Sequence, residues 1–222
     1  LATAALLVAL ALRPWRAVGR DGPPWPWLAW SLLMPLTWGA DRFVATPVAQ
    51  PLSGVCLLLL MAGWPLAMLA LPAVALATAF IGGLDAAAAL HRAVWLGVVP
   101  GTLALGFGLA VRRWLPQHLF VYILVRGFIG TALCTALAGV LSSWLHDTAP
   151  GLTEGDLMLG RWLAAWADAW LCGMITAIFV AYRPHWLATY ADRLYLPARP
   201  RDGGGTDSAS DPPPGDPHGP TR

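Results

Sequence analysis

The chain has 222 residues, of which 57% are hydrophobic and only 12% charged, with a formal net charge of +2. Its mean hydropathy is +0.59. A soluble domain carries about 25% charged residues, so this composition excludes an ordinary water-soluble fold, and the small net charge gives no basis for nucleic-acid binding.

Taken in chain order, residues 1–12 form a first apolar run, short for a span. RPWRAVGRDGPP (13–24) is basic and then broken by prolines, which reads as a loop. Residues 25–38 are a short, tryptophan-rich apolar segment, and GADRFVATPVAQP (39–51) is a polar break. Residues 52–81 are apolar again but contain Gly63-Trp64-Pro65 and Pro72. A proline removes a backbone donor and crowds the preceding turn, so this stretch is expected to be two short helices turning at Gly63. GGLDAAAALHR (82–92) reads as a weakly polar link. Residues 93–111, 119–145 and 162–182 each reach the roughly 20 apolar residues that cross a ~30 Å hydrocarbon layer. Between the last two lies an acidic loop at 147–156. Residues 198–222, rich in Pro, Gly, Asp and Ser, have little to bury and are expected to be a disordered tail. The expected domain organisation is a transmembrane bundle over 1–197 followed by that tail.

Arginine-rich short loops stay on the cytoplasmic side. The basic loops at 13–20, 112–113 and 183–201 share one side only if 52–81 counts as two segments. The fold expected is therefore all-α: a polytopic transmembrane helix bundle of about seven segments, N-terminus outside and C-terminus in the cytoplasm. No cleavable signal peptide is expected. Short spans are tolerated where neighbouring helices bury them.

Most of the thirteen tryptophans sit near the ends of apolar runs: Trp15, Trp25, Trp27, Trp38, Trp114, Trp144, Trp162 and Trp186. An indole satisfies both its apolar body and its N–H in the headgroup zone, so these are expected to form an interfacial belt. Cys56, Cys134 and Cys172 lie inside apolar spans and form no CxxC pair, which indicates neither a disulfide framework nor a zinc site.

Charges inside a bilayer are costly and usually face a bundle interior or a wet cavity. The candidates here are Arg126, Asp168 and Arg92, with His91 and Asp85 close by. Arg126, Gly130, Cys134 and Ala138 recur at i, i+4, i+8 and i+12, a small and polar stripe. Ala165, Ala169 and Gly173 form a small-xxx-small row that permits close helix approach, bordered by Asp168 and Cys172. Gly97 and Gly101 make a further such pair. Asp168 is one counter-ion for Arg126. By the helical rise, Arg126 lies about 15 Å from the end of its span and Asp168 about 21 Å from the end of its own. Arg92 is a rival partner. A helix-locking ion pair and a transport pathway both remain open on this reading. No HExxH, GxSxG or GxxxxGK[ST] motif is present, so an intramembrane enzyme has no motif behind it. His118, His146 and His185 sit at span ends, where solvated side chains are expected.

Three stretches carry a family resemblance: VAYRPHWLATYADRLYL (180–196), LPQHLFVYILVRGFIGTAL (115–133) and GWPLAMLAL (63–71). In order, they resemble segments of the CbiM-type permeases, the metal-binding components of energy-coupling factor ABC transporters for cobalt and nickel. The resemblance covers most of residues 25–196. It implies a seven-segment bundle in a bacterial inner membrane, transition-metal uptake, and two kinds of partner: an energy-coupling transmembrane subunit and ATPase subunits. No cofactor is implied in this chain itself; Co²⁺ or Ni²⁺ would be its substrate. Relatives bind the ion through an N-terminal Met-His and a histidine in a His-Leu-Leu-Gly stretch. Here the N-terminus reads Leu-Ala-Thr, and the second position falls near Pro51, with Gln50 and Ser53 beside it. Relatives carry asparagine where this chain has Arg92 and Arg126, and glutamate at Asp168. The substrate-binding or pathway candidates are thus Gln50, Ser53, Arg92, Arg126 and Asp168. The alternative is a divergent paralogue without the metal site, carrying an anionic or organic solute or acting as an assembly factor.

Overall fold

The structure is a computed structural model that describes residues 1–13, 25–40, 50–116, 118–145 and 154–190. The acidic loop through residue 153, Trp15, His146, the end of the 180–196 motif and the 198–222 tail lie outside the described residues.

The described residues form an all-α bundle of seven helices: α1 (Ala2–Ala11), α2 (Trp25–Trp38), α3 (Val55–Ala62), α4 (Trp64–Gly82), α5 (Ala86–Trp114), α6 (Val121–Leu145) and α7 (Glu154–Tyr182). Four of them, α4 to α7, are long and apolar enough to cross a membrane. The chain is a membrane protein. Its outer surface is built from apolar side chains at helical spacing. On α7, Trp162, Trp166, Trp170, Met174 and Ile178 recur every four residues and are all exposed, as are Leu28, Leu32 and Leu36 on α2. Stripes this continuous are lipid-facing in a membrane protein.

The expected break in 52–81 is present. Gly63 has φ 79° and ψ 162°, between α3 and α4, and Pro65 stands in the first turn of α4, where its missing N–H costs nothing,. Pro72, by contrast, is accommodated within α4. The expected link at 82–92 is corrected in part. Residues Ala86–Arg92 are helical and form the first turns of α5, because Asp85 caps them, its Oδ1 accepting from the Ala88 N–H at 2.9 Å,. Likewise α7 starts at Glu154, earlier than its apolar run, with Glu154 and Asp156 in the first turn where the helix dipole favours anions,. Two stretches, Ala93–Val98 in α5 and Val121–Ile129 in α6, are wound as π-helix, a local widening frequent at functional sites.

The small-residue faces pack inward as expected. Gly130, Cys134 and Ala138 on α6 are buried, as are Ala165, Ala169, Cys172 and Gly173 on α7. On α5, a Cβ at Gly97 would lie 2.9 Å from both Leu71 methyls, and one at Gly101 would lie 2.8 Å from Met68 Cε. These glycines set how closely α5 can approach α4.

At the centre is α3. Its sequence, VCLLLLMA, has no polar side chain, and all eight residues are buried. A helix apolar on every side needs neighbours on every side; α2, α4, α5, α6 and α7 supply them. At about 12 Å it spans less than half the hydrocarbon layer, so both of its ends lie among protein.

One end of the bundle is identified by contacts. Trp25 at the start of α2 packs edge-on against Trp186, just after α7, with centroids 6.0 Å apart. Tyr122 near the start of α6 shares a 2.8 Å hydrogen bond with Thr189, and Tyr122 and Arg112 line one cavity. Arg112, Arg113 and Arg183 therefore share an end with Trp25 at the start of α2, as the two-segment reading of 52–81 requires.

Candidate functional site

A helix leaves its first N–H groups and last C=O groups unpaired. Without water nearby, those of α3 must be satisfied by protein. At its N-terminus the partners are the Ser53 hydroxyl, which accepts from the Val55 N–H at 3.3 Å, and Asp168. The Asp168 Oδ2 accepts from the Ser53 N–H at 2.9 Å and its Oδ1 from the Gly54 N–H at 3.1 Å. Gly54 makes this possible by adopting φ 66°, which aims two successive N–H groups at one carboxylate. That left-handed conformation favours glycine, and a Cβ there would also meet the Trp30 ring at 3.2 Å.

The rest of the turn is held as tightly. Trp38 Nε1 donates to the Ser53 carbonyl at 2.9 Å, and Trp30 Nε1 to the Gly54 carbonyl at 2.9 Å. The Ser53 hydroxyl donates to the Leu96 carbonyl in the π-helical stretch of α5. Arg92 Nη1 donates to the Trp38 carbonyl. Arg92, Trp38, Ser53 and Asp168 thus form one connected polar network, from α5 through α2 to the α3 entrance and α7. Asp168 and Ser53 are 4% and 1% exposed. Their burial is sustainable because their hydrogen bonds are made.

Gln50 lies three residues before Ser53, beside a second arginine. A Cβ at Gly139 would meet Gln50 Oε1 at 2.9 Å and Arg161 Cδ at 3.4 Å, so both side chains lie over this glycine. Arg161 Nη1 donates to the Gly139 carbonyl at 2.8 Å.

Four of the five candidate residues therefore gather at or just before the α3 N-terminus. Arg126 does not. The counter-ion expectation is corrected: the Asp168 carboxylate is occupied by the Ser53 and Gly54 N–H groups. Arg126 reaches α5 instead, where its Nε and Nη2 lie 3.0 Å from the Cβ position of Gly108, and its guanidinium stands 5.8 Å from the Tyr122 ring centroid. The interfacial belt is corrected at Trp38 and Trp27. Trp25, Trp114 and Trp144 are exposed near helix ends and Trp162 is exposed about 12 Å into α7,, but the Trp27 indole N–H is buried and Trp38 is fully buried, because its indole N–H holds the α3 entrance. Asp85 is a helix cap at the start of α5.

Sequence reasoning missed Trp38, Trp30 and Arg161 as site residues. Arg161 had a signal, an arginine at the entrance to an apolar span. For the two tryptophans no signal separates a structural indole from an interfacial one.

At the other end of α3, the segment after α7 folds back. Ala188 N–H donates to the Met61 carbonyl at 3.1 Å, and Thr189 reaches the Leu60 carbonyl through its N–H at 3.3 Å and its hydroxyl at 3.0 Å. The buried half-length helix is thus closed at both ends by α7 and its extension.

The position that the resemblance matches to the His-Leu-Leu-Gly histidine, near Pro51, has an amide (Gln50) and a hydroxyl (Ser53) beside it, with Arg161 next to Gln50. Ni²⁺ and Co²⁺ favour imidazole nitrogen, so these donors do not fit either ion. Among the described residues no three His, Cys, Asp or Glu side chains come together as a metal site. Comparison of the chain with protein-family models, with curated proteins and with solved structures returns no match.

Proposed function

We propose that this chain is a permease-type membrane component, a divergent relative of the CbiM-type substrate-binding subunits that carries an anionic solute in place of a metal ion. The observation behind this reading is the central interrupted helix. Transporters commonly place such a helix in the bundle, with its termini organising the binding region. Among the described residues, the α3 entrance is closed by Asp168, and the polar side chains before it are Gln50 and the two arginines Arg92 and Arg161. That surround favours an anion and repels a divalent cation. The solute site lies on the side of the bundle where α5 and α7 begin, which positive-inside asymmetry makes the outer face of a bacterial inner membrane. An energy-coupling transmembrane subunit and ATPases are the partners this role requires.

Binding to purified protein tests the reading. Small carboxylates and phosphate should stabilise it saturably against heat, and Arg161→Gln should weaken that response about tenfold, the value of one charge-assisted hydrogen bond. Micromolar binding of Ni²⁺ or Co²⁺ would instead restore the metal-uptake role. Response to neither class would remove the transport reading.

A further inference from the structure

The Arg126 guanidinium is the charge that the α3 network leaves aside. Its Nε and Nη1 are buried and have no hydrogen-bond acceptor among the described residues. A helical side chain points toward its helix N-terminus, so Arg126 leans toward the end of the bundle that carries Arg112, Arg113 and Arg183. Gly108 is the residue it passes, and the lack of a side chain there makes the room. Beyond lies a small cavity lined by Arg112, Leu115, Pro116, Val121, Tyr122 and Arg126. Its volume of about 10 Å³ accepts one oxygen-sized group. Arg112 is exposed at its rim. Among the described residues the acidic ones are Asp85, Glu154, Asp156 and Asp168. The first three stand at helix starts of the opposite end, and Asp168 is held by the α3 N-terminus.

We propose that Arg126 and Arg112 form a binding site for a phosphoryl oxyanion, entered from the headgroup layer between α5 and α6. One phosphate oxygen fills the cavity and accepts from Arg126 Nη1, on the edge of the guanidinium away from Gly108, while Arg112 neutralises the remaining charge from the rim. The depth suits a phospholipid. Gly108 lies six residues, about 9 Å, from the end of α5, within reach of an arginine that snorkels toward the interface. Basic pockets between helices at a cytoplasmic face hold anionic lipid headgroups in this way. The site is separate from the α3 entrance and does not depend on the transport reading.

The test is a lipid titration of delipidated, detergent-purified protein read by native mass spectrometry. Phosphatidylglycerol should occupy one saturable site about tenfold more tightly than phosphatidylcholine. Arg126→Gln should weaken it by about tenfold, and Arg112→Gln by less. Arg183→Gln, equal in charge change and located at the same end, should leave it unaltered. Gly108→Ala places a methyl group against the guanidinium and should also weaken binding, which keeps the test decisive if Arg126→Gln fails to fold. Inorganic phosphate that displaces the lipid at millimolar concentration would identify free phosphate as the ligand of the same oxyanion site; phosphate without effect would identify the lipid. Equal affinity for the two lipids, or unchanged phosphatidylglycerol binding in both Arg126→Gln and Gly108→Ala, would overturn the proposal.

Discussion

Replacing Asp168 with asparagine keeps the shape of the side chain and removes its charge. The carboxylate accepts from two backbone N–H groups at 2.9 and 3.1 Å. An asparagine can accept only one of these bonds, and its NH₂ then faces the other N–H, donor against donor. One buried N–H is left unpaired, at a cost of about 1–3 kcal/mol. The lost charge at a helix N-terminus adds about 0.3–1 kcal/mol, more where burial limits screening. The expected destabilisation is therefore about 1.3–4 kcal/mol, or on the order of 10 °C in Tm for a chain of this size. Thermal unfolding in mild detergent, followed by size-exclusion chromatography, measures it. A second arm separates this cap from an ion pair. If Asp168 acts through α3 and not through Arg126, then Asp168→Asn and Arg126→Gln share no partner. Their effects should add to within about 0.5 kcal/mol. A neutral Asp168→Asn, or a double variant that departs from the sum of the two single changes by more than about 1 kcal/mol, would refute the reasoning.

Other expectations follow from the same packing. Trp38→Phe removes the donor to the Ser53 carbonyl and should cost about 1–3 kcal/mol, whereas Trp144→Phe, at an exposed helix end, should stay within about 0.5 kcal/mol; paired unfolding curves compare them. Gly97→Val would drive a branched side chain into Leu71 and the Trp38 ring and should cost about 1–3 kcal/mol, read as lowered Tm and reduced yield of monodisperse protein. Thr189→Val removes the hydroxyl that bridges the Leu60 carbonyl and Tyr122. It should cost about 1–2 kcal/mol and speed amide exchange at Ala188 and Thr189, measurable by mass spectrometry.

Much of the architecture was legible in residue order because it follows from local chemistry. Apolar length marked α4 to α7, Gly63 marked the break before α4, and the i, i+4 recurrence of Gly130, Cys134 and Ala138 marked the face that turns inward. Helix ends were less legible. Ala86–Arg92 looked like a link because mean hydropathy drops there, while the Asp85 cap and four alanines in a row sustain a helix regardless of polarity.

Which groups pair across the bundle was settled only by the tertiary arrangement. Periodicity correctly placed Asp168 on an inward face, but a carboxylate meets a guanidinium and a pair of backbone N–H groups with similar favour. The choice depended on α3 ending inside the bundle, where its N–H groups have no water to bond and Asp168 stands within reach. The same cause drew Trp38 from the interface to the interior and left Arg126 to lean toward the opposite end. Spacing along a chain encodes which side of a helix turns inward; it does not encode the height at which another helix stops, and that height decided the partners.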